Sequence, residues 1–261
     1  MKLEKYSFGM GDRFMHQGAA QLQAVIKAKN EGVDVTPVWN KSNREHEIVG
    51  TEPVSLREEA DTAVEALGWS DSYRVDADHI NMGNVERFIH CSDFFTIDVG
   101  DAIGEAAADL DIAAFVLRHS RFIGKMEIPG AGIFDVTEET LENVAGTFLK
   151  AVQQAGVIYR HIVEQRGPDF IPEVSMDETE NPQTPLEMFF ILAMIADEGI
   201  PAQTIAPKFT GRFNKGVEYV GDVEQFEKEF NEDLSAIAYA IKEFGLPDNL
   251  KLSIHSGSDK F

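Results

Sequence analysis

Short apolar runs alternate with amphipathic segments along most of this chain, and that alternation restricts its fold more than any other feature. Segments with helical spacing separate the apolar runs, and two of them carry start signals, a Ser55–Glu58 capping box and the pair Thr184–Pro185. The stretch 121–137 is predicted to be an insertion or loop. Regular β-α alternation predicts a parallel sheet. The runs typical of strands are YSFGMGDRF, DVTPVWN, YRVDADHI, FFTIDVG, FIPEVSMDET, QTIAPKF and KLSIHSG.

This pattern predicts an α/β fold of the TIM-type (β/α)8 barrel class, in a single catalytic domain over residues 1–261. Seven strands do not close an eight-stranded barrel, so we expect the barrel to be truncated before its last strand. An open doubly wound sheet is the alternative, but the fingerprints GxGxxG and GxxxxGK[ST] of nucleotide-binding sheets are absent. Catalytic groups of a barrel lie at the carboxyl ends of its strands. The polar residues expected there are Asp12, Asp78, His79, Asp98, Asp177, Lys208 and His255.

Net charge and cysteine content indicate the cellular compartment of this chain and the kinds of partner that it binds. The formal net charge is −22, which argues against nucleic acid or an anionic membrane as a partner. Cys91 is the one cysteine, so no intrachain disulfide is expected. No apolar window is long enough to span a bilayer, and the first residues lack the apolar core of a signal peptide. We therefore expect a cytoplasmic protein, whose anionic ligands would need a local basic pocket.

Two histidines at strand ends are the predicted metal ligands. His79 lies in the motif DADH at the end of the third strand, and His255 follows the apolar run KLSI. Neutral imidazoles bind divalent transition metals well, and carboxylates complete such sites. A bound cation could polarise a carbonyl or hydroxyl group of a sugar. The alternative is that either histidine is an ordinary surface or core residue.

Carboxylates that alternate along two strands are the candidates for acid–base chemistry. Asp76 and Asp78 share one face of their strand, and Asp78 is a candidate base because it adjoins a predicted metal ligand. Glu173, Ser175 and Asp177 also alternate, and a glutamate inside a strand is costly to bury without a partner. Glu173 is therefore predicted to be functional. Asp78 alternatively caps the following helix or orients a ligand.

Basic residues cluster in the segment KFTGRFNKG after the sixth strand. Because they fall in or just after predicted strand ends, a role in binding a carboxylate or phosphate is favoured over an ordinary solvated face. Asp177 joins them in the predicted substrate-binding set. The basic candidates are Arg13, Lys208, Arg212, Lys215 and Lys260.

Six stretches, taken in order, resemble the tagaturonate epimerase family of bacterial hexuronate catabolism. They are FGMGDRF, DADHI, FFTIDVG, EVSMDETENPQTPLEMF, KFTGRFNKGVEYVGD and SIHSGSDKF. The resemblance implies a metal-dependent TIM-barrel epimerase that interconverts D-tagaturonate and D-fructuronate. It also implies that Asp78 is the proton acceptor and Glu173 the proton donor, and that His79 and His255 are metal ligands. Asn214 is the candidate for a further ligand, at a place where relatives carry acidic residues. Family members continue beyond HSGSDKF, in a region expected to hold the last barrel strand.

The residues and the resemblance predict an isomerase, a carbohydrate epimerase that acts on a keto-hexuronate by acid–base chemistry. Its divalent cation is expected to be zinc, manganese, nickel or cobalt, and its partner a small anionic sugar acid. Which carbon inverts is left open, as is the choice between direct proton transfer and retro-aldol cleavage with re-addition. The alternatives are a metal-dependent aldolase or sugar isomerase, or a non-catalytic sugar-acid-binding fragment. A homo-oligomer is also left open.

Overall fold

The computed structural model describes residues 1–177, 181–214 and 216–256. All seven predicted strands are present, and they are β1–β4 and β7–β9 in the numbering that follows. The described strands are β1 (Ser7–Gly11), β2 (Thr36–Ser42), β3 (Arg74–Ile80), β4 (Phe94–Asp98), β5 (Gly124–Ile128), β6 (Gly132–Val136), β7 (Ile171–Ser175), β8 (Thr204–Ala206) and β9 (Lys251–Leu252). The described α-helices are α1 (Gly18–Asn30), α2 (Asn43–Val49), α3 (Val54–Leu67), α4 (Asp109–His119), α5 (Glu138–Arg166), α6 (Pro185–Asp197) and α7 (Val223–Phe244).

Seven strands form one sheet in the order β1-β2-β3-β4-β7-β8-β9. The pairs β1–β2, β2–β3, β3–β4 and β8–β9 are parallel, as predicted. The prediction of a TIM-type (β/α)8 barrel is wrong, because the sheet does not close. A closed barrel needs every strand to be hydrogen-bonded on both sides, whereas β1 and β9 stand at the two ends of the strand order over the described residues. With two residues, β9 also offers few backbone groups for a closing ladder.

The stretch 121–137, predicted to be an insertion or loop, contains an antiparallel hairpin. Strands β5 and β6 pair from Gly124 with Val136 to Ile128 with Gly132. Gly130 in the connection has φ +93°, and a Cβ atom at this position would lie 2.5 Å from Oγ of Ser235. Glycine is therefore required here both by the backbone conformation and by the close approach of α7.

The chain divides into two compact units, of which the first comprises Met1–Ile97 and Ile158–Glu173. One face of its strands packs on α1 and α3. The other face carries a smaller apolar cluster that continues into the candidate active site. Strands buried on both faces are typical of a parallel sheet covered by helices. The larger core contains Met10, Leu22, Val25, Trp39, Leu56, Ala60, Ala63 and Val75.

The second unit comprises Asp98–Val157 and Val174–Phe261. Its central helix is α6, in which the eight consecutive residues Met188–Ile195 are buried; a helix that is apolar on all sides is a core helix. The ring of Phe189 lies 5.2 Å from that of Phe122 and 4.9 Å from that of Phe244. In the part of the chain that the structure describes, no helix has the length and apolarity needed to cross a bilayer. The prediction of one domain over residues 1–261 stays a prediction.

One of the two predicted helix starts is correct. Oγ1 of Thr184 accepts a hydrogen bond from the N–H of Glu187, and the Glu187 carboxylate accepts one from the N–H of Thr184. The capping box predicted at Ser55 is wrong, because α3 begins one residue earlier and the Ser55 hydroxyl donates to the carbonyl of Glu52. Nothing in the strand–helix pattern predicted the short helix α2, which starts with its own capping box at Ser42.

Candidate active site

The end of β3 is irregular at Asp78 and His79. The register of β3 against β4 shifts between Ala77 and Ile80, as it does at a β-bulge. His79 has φ +50°, in the left-handed region, which costs a non-glycine residue on the order of 1–3 kcal/mol. Bulges re-aim side chains and are frequent beside active sites. The alternation of side chains between the two faces of this strand therefore ends before His79. Nε2 of His79 lies 3.8 Å from Oδ1 of Asp78.

Three buried polar side chains on β3, β4 and β7 form a cluster that we call the polar layer. It consists of Asp76, Thr96 and Glu173, which are 4%, 1% and 1% exposed. Oγ1 of Thr96 lies 3.0 Å from Oδ2 of Asp76 and 3.2 Å from Oε1 of Glu173. Buried carboxyl groups are costly unless they are hydrogen-bonded. The sequence analysis expected Glu173 to have a hydrogen-bond partner. Thr96 is one such partner.

The Thr96 hydroxyl carries one hydrogen, so it donates to one of the two carboxyl groups at a time. Asp76 presents both of its oxygens within 3.2 Å of this hydroxyl, and the Thr96 N–H donates to the same carboxylate. The Thr96 hydroxyl therefore joins Asp76 and Glu173 in one hydrogen-bonded cluster.

An apolar layer supports the polar one. Because residues i and i+2 of a strand face the same side, Phe94 lies on the face of Thr96, and Ile171 lies on the face of Glu173. These two residues, with Leu3 and Val38, form a cluster in which every side chain is at most 6% exposed. Close packing of buried side chains restricts their rotamers. The side chains of the polar layer therefore have rigid neighbours.

The loop after β1 is organised by Asp12. Its carboxylate accepts hydrogen bonds from the N–H groups of Phe14, His16 and Gln17 at 3.0, 2.7 and 2.9 Å. Partial burial raises the pKa of Asp12, but these backbone donors outweigh burial and lower it overall. Asp12, predicted at a strand end, thus has a structural role in shaping the loop that contains Arg13.

Lys41 is a buried lysine that the sequence analysis did not single out. It is fully buried on β2, and its Nζ donates to the carbonyl of Arg13 at 2.6 Å and to Oγ1 of Thr51 at 3.1 Å. Burial lowers its pKa. Arg13 itself is half-buried, with Nε 3.8 Å from Oε1 of Glu45. Lys41 anchors the backbone at this predicted substrate-binding residue, and its only sequence signal is a charge inside the apolar strand TPVWNKS.

In the second unit, Asp177 and His255 form a carboxylate–imidazole pair. Nδ1 of His255 lies 3.4 Å from Oδ2 of Asp177, and the two side chains are 17% and 23% exposed. The hydroxyl of Ser175 donates to Oδ1 of Asp177 at 2.6 Å. The sequence predicts Asp177 as a substrate-binding residue, but its place beside His255 also suits a metal ligand. Ser175 orients this carboxylate as an outer partner orients a ligand.

Lys208 is the half-buried member of the predicted basic set in the second unit. Its backbone N–H donates to Oε1 of Gln183 at 2.8 Å, and the amide of Gln183 donates to the carbonyl of Met176 at 3.4 Å. This bonding ties the second residue after β8 to the first residue after β7. The predicted ligand Lys260 lies outside the described residues, as does Lys215.

Arg212 and Asn214 are exposed in the loop between β8 and α7. Backbone hydrogen bonds join Arg212 to Val220 in an antiparallel bridge. The Tyr219 hydroxyl donates to the carbonyl of Thr210 at 2.8 Å and closes the base of this loop. The roles of Arg212 in substrate binding and of Asn214 in metal binding stay predictions.

The whole chain, residues 1–261, matches the family model described as UxaE, tagaturonate epimerase. A protein from Thermotoga maritima named tagaturonate/fructuronate epimerase is 30% identical in an alignment of 267 residues that covers 98% of this chain and 53% of that protein. The chain thus spans about half the length of this relative.

Two crystal structures of fructuronate-tagaturonate epimerase UxaE from Cohnella laeviribosi have a similar fold. The complex with one glycerol aligns with a TM-score of 0.80 at 24% identity, over 99% of this chain and 53% of the other. The native structure aligns with a TM-score of 0.79 over the same shares. At this identity, the likeness concerns the fold.

Proposed function

Because the chain belongs to the tagaturonate epimerase family, we propose that it is an isomerase that interconverts D-tagaturonate and D-fructuronate or a closely related keto-sugar acid. The name of the Thermotoga maritima relative supports this substrate class. The motifs FGMGDRF and DADHI, and the residues EVSMD of a third motif, lie within the described residues at β1, β3 and β7. The proposal therefore draws on residues whose surroundings are known.

The burial of Glu173 in the polar layer, beside Thr96, is the observation that carries the acid–base part of the proposal. Epimerisation by proton transfer removes a proton from carbon and returns one to its other face, so it needs a base and an acid in separate places. Asp78, which directly precedes His79 at the irregular end of β3, acts as the base. Glu173 donates the proton, and the Thr96 hydroxyl, 3.2 Å from Oε1 of Glu173, holds this carboxyl group in place.

We further propose that a divalent cation binds to His79, Asp177 and His255. The family resemblance implies His79 and His255 as ligands, and Oδ2 of Asp177 lies 3.4 Å from Nδ1 of His255. Two imidazoles and one carboxylate suit zinc, manganese, nickel or cobalt. The cation, when bound, would polarise a carbonyl or hydroxyl oxygen of the sugar acid. Ser175 fixes the orientation of Asp177, and Asn214 stays the predicted further ligand.

The carboxylate of the sugar acid is proposed to bind Arg13, Lys208, Arg212 and Lys260. A net charge of −22 repels anions at long range, so binding depends on cations held close to the site. Arg13 is the best supported of these, because Lys41 and Asp12 fix the loop that carries it. A guanidinium can hold a carboxylate through two parallel hydrogen bonds.

The test is conversion of D-tagaturonate by the purified chain, supplied in turn with zinc, manganese, nickel and cobalt. We expect D-fructuronate to form, and Asp78→Asn to abolish it. Glu142→Gln, which alters an exposed carboxylate on α5, is the matched control and should leave the rate unchanged. Failure of the wild-type chain to convert the substrate with every metal would refute the proposal.

Two further outcomes of the same assay distinguish mechanism and substrate. In D2O, direct proton transfer incorporates deuterium at the inverted carbon, whereas retro-aldol cleavage and re-addition leave that carbon–hydrogen bond intact. The basic residues would also fit a sugar phosphate, so faster turnover of phosphorylated sugars would favour the aldolase or sugar-isomerase alternative. Binding of the acid without turnover would favour a sugar-acid-binding fragment.

A further inference from the structure

Helix α4 presents an apolar stripe to solvent. Leu110 and Leu117 are 83% and 77% exposed, the highest values of any large apolar side chain among the described residues. They are seven residues apart and therefore lie within about 20° of each other around the helix. Ala113 and Ala114 lie between them and are also exposed. We call these four residues the α4 stripe.

The opposite side of α4 is packed, so the stripe belongs to a fixed helix. Phe115 is buried, and its ring lies 6.3 Å from that of Phe190. Nε2 of His119 is hydrogen-bonded to Oδ2 of Asp197 at 2.9 Å. Isolated exposed apolar residues are normal, whereas a contiguous apolar stripe on an ordered helix marks an interaction surface.

The α4 stripe is symmetric about its own midpoint. Leu110 lies as far before the Ala113–Ala114 pair as Leu117 lies after it. Two copies of α4 that pack antiparallel about a two-fold axis at this midpoint would bring Leu110 of each copy against Leu117 of the other. The alanines at the axis would let the helices approach closely, since a two-fold contact must be complementary to itself.

Charges beside the stripe fit the same arrangement. Asp111 and Arg118 are also seven residues apart, so they lie on one side of the stripe. In an antiparallel two-fold pair, that side of one helix faces the same side of the other, so Asp111 meets Arg118 of the second copy twice. The Arg118 side chain is 57% exposed although its Nη1 also binds Asp197 at 2.7 Å. Such pairs oppose the repulsion between two chains of charge −22.

We propose that the α4 stripe is a contact between two copies of this chain, related by a two-fold axis at Ala113 and Ala114. The occupant is a second copy because both the apolar pattern and the charge pattern are complementary to themselves. A single helix pair is at the small end of specific interfaces. Dimerisation through it is therefore weak and depends on protein concentration, and it is independent of the proposed epimerase activity.

Disulfide cross-linking tests the position of the axis. A residue on a two-fold axis meets its own copy, so Ala114→Cys should give a disulfide-linked dimer on mild oxidation. The wild-type chain has only the buried Cys91 and should stay monomeric on a non-reducing gel. Glu142→Cys, exposed on α5, is the matched control. Equal cross-linking of Ala114→Cys and Glu142→Cys would overturn the proposal.

Exchange of the two charges tests whether Asp111 of one copy contacts Arg118 of the other. The dimer dissociation constant is measured by sedimentation over a range of protein concentrations. Asp111→Arg and Arg118→Asp should each weaken dimerisation by roughly tenfold, because the axis repeats each change twice. The double variant should recover to near the wild-type value, although it lacks the Asp197 ion pair just as Arg118→Asp does. A wild-type chain that is monomeric at every concentration would overturn the proposal, as would a double variant that does not recover.

Discussion

The polar layer of the first unit and the Asp177–His255 pair of the second hold their carboxyl groups in different ways. In the polar layer, Asp76 and Glu173 are at most 4% exposed and share one threonine hydroxyl. In the pair, the side chains are 17% and 23% exposed, and Asp177 is oriented by a serine. The first arrangement is fixed by strand register and packing, whereas the second lies where strand β7 and the residues after β9 leave regular structure.

The difference in burial indicates which chemical role suits each region. A buried layer fixed by packing suits a group that must be held in one position. A partly exposed carboxylate–imidazole pair can exchange with solvent, which suits ligands that a cation must reach. These properties support the proposed roles of Glu173 as proton donor and of Asp177 and His255 as cation ligands.

The largest effect is expected when the proton donor is removed from the polar layer. Glu173→Gln keeps the shape of the side chain and a hydrogen bond to Thr96, but an amide does not donate a carboxyl proton. We expect the turnover number to fall by about 10²–10⁴-fold, with little change in the melting temperature. Turnover and thermal unfolding measured on the same preparation would check this, and an unchanged turnover would remove Glu173 from the mechanism.

The next effect is loss of the cation from the second region. His255→Ala should weaken divalent metal binding by more than the roughly 10–100-fold expected for loss of an orienting partner, as in Ser175→Ala. The metal content of each variant after dialysis, measured by mass spectrometry, shows which of the two substitutions weakens metal binding more. His161→Ala is the matched control, because His161 is also partly exposed beside a carboxylate, Glu86. Equal metal content in the two histidine variants would contradict the assignment.

A smaller effect is expected when the hydroxyl of the polar layer is removed. Thr96→Val preserves the shape but leaves two buried carboxyl groups without this partner, which should cost about 1–3 kcal/mol of the free energy of unfolding. Thr96→Ser keeps the hydroxyl and should retain most of the stability and activity. Urea unfolding and turnover of both variants check this. Equal behaviour of the two variants would show that the hydroxyl is not what holds Glu173.

The smallest net effect is expected in the wild type from two buried groups whose opposite pH dependences largely cancel. Burial lowers the pKa of His46, in the first unit, from 6.5 to about 4. Its contribution to stability is complete above pH 6.5 and is lost as the pH falls towards 4. Burial raises the pKa of Asp233, in the second unit, from 3.8 to about 7. That contribution is complete below pH 3.8 and is lost as the pH rises through 7.

Between these limits the two groups change the free energy of unfolding with pH in opposite directions. Removing one group should therefore leave the pH dependence that the other causes. His46→Gln should leave a stability that falls with increasing pH, and Asp233→Asn should leave one that rises, each by up to about 1.4 kcal/mol per pH unit. Urea unfolding of the wild type and both variants at several pH values between about 4 and 7 measures this. The same slope in all three proteins would contradict the buried neutral state of both groups.

Much of the local structure could be predicted from the sequence, because hydrophobic periodicity acts over a few residues. The seven strands of the sheet and six of the seven helices follow from alternating or helical spacing. Thr184 capped its helix as predicted, because its box is closed by a residue three positions away. Helix α2 was not predicted, since seven residues carry too little periodicity. The β5–β6 hairpin was also missed, because its glycine-rich connection looks like a loop.

The candidate site was predictable by residue type but not by arrangement. Asp78, His79, Glu173 and His255 stood out because such residues at strand ends are costly without a function. The bulge at His79 was not predictable, since it depends on how β3 aligns with β4. Thr96 carried no signal at all, because threonine is common in strands. Its role follows from the register that places it against two acidic residues.

By itself, the sequence determined the family, the order of strands and helices, and the residue types at the strand ends, because each depends on neighbouring residues along the chain. Only the tertiary structure decided how the seven strands pair, since pairing needs hydrogen bonds between residues far apart in sequence. It also decided that one threonine hydroxyl serves two buried carboxyl groups. These side chains meet because β3, β4 and β7 are neighbours in the sheet although they are far apart along the chain.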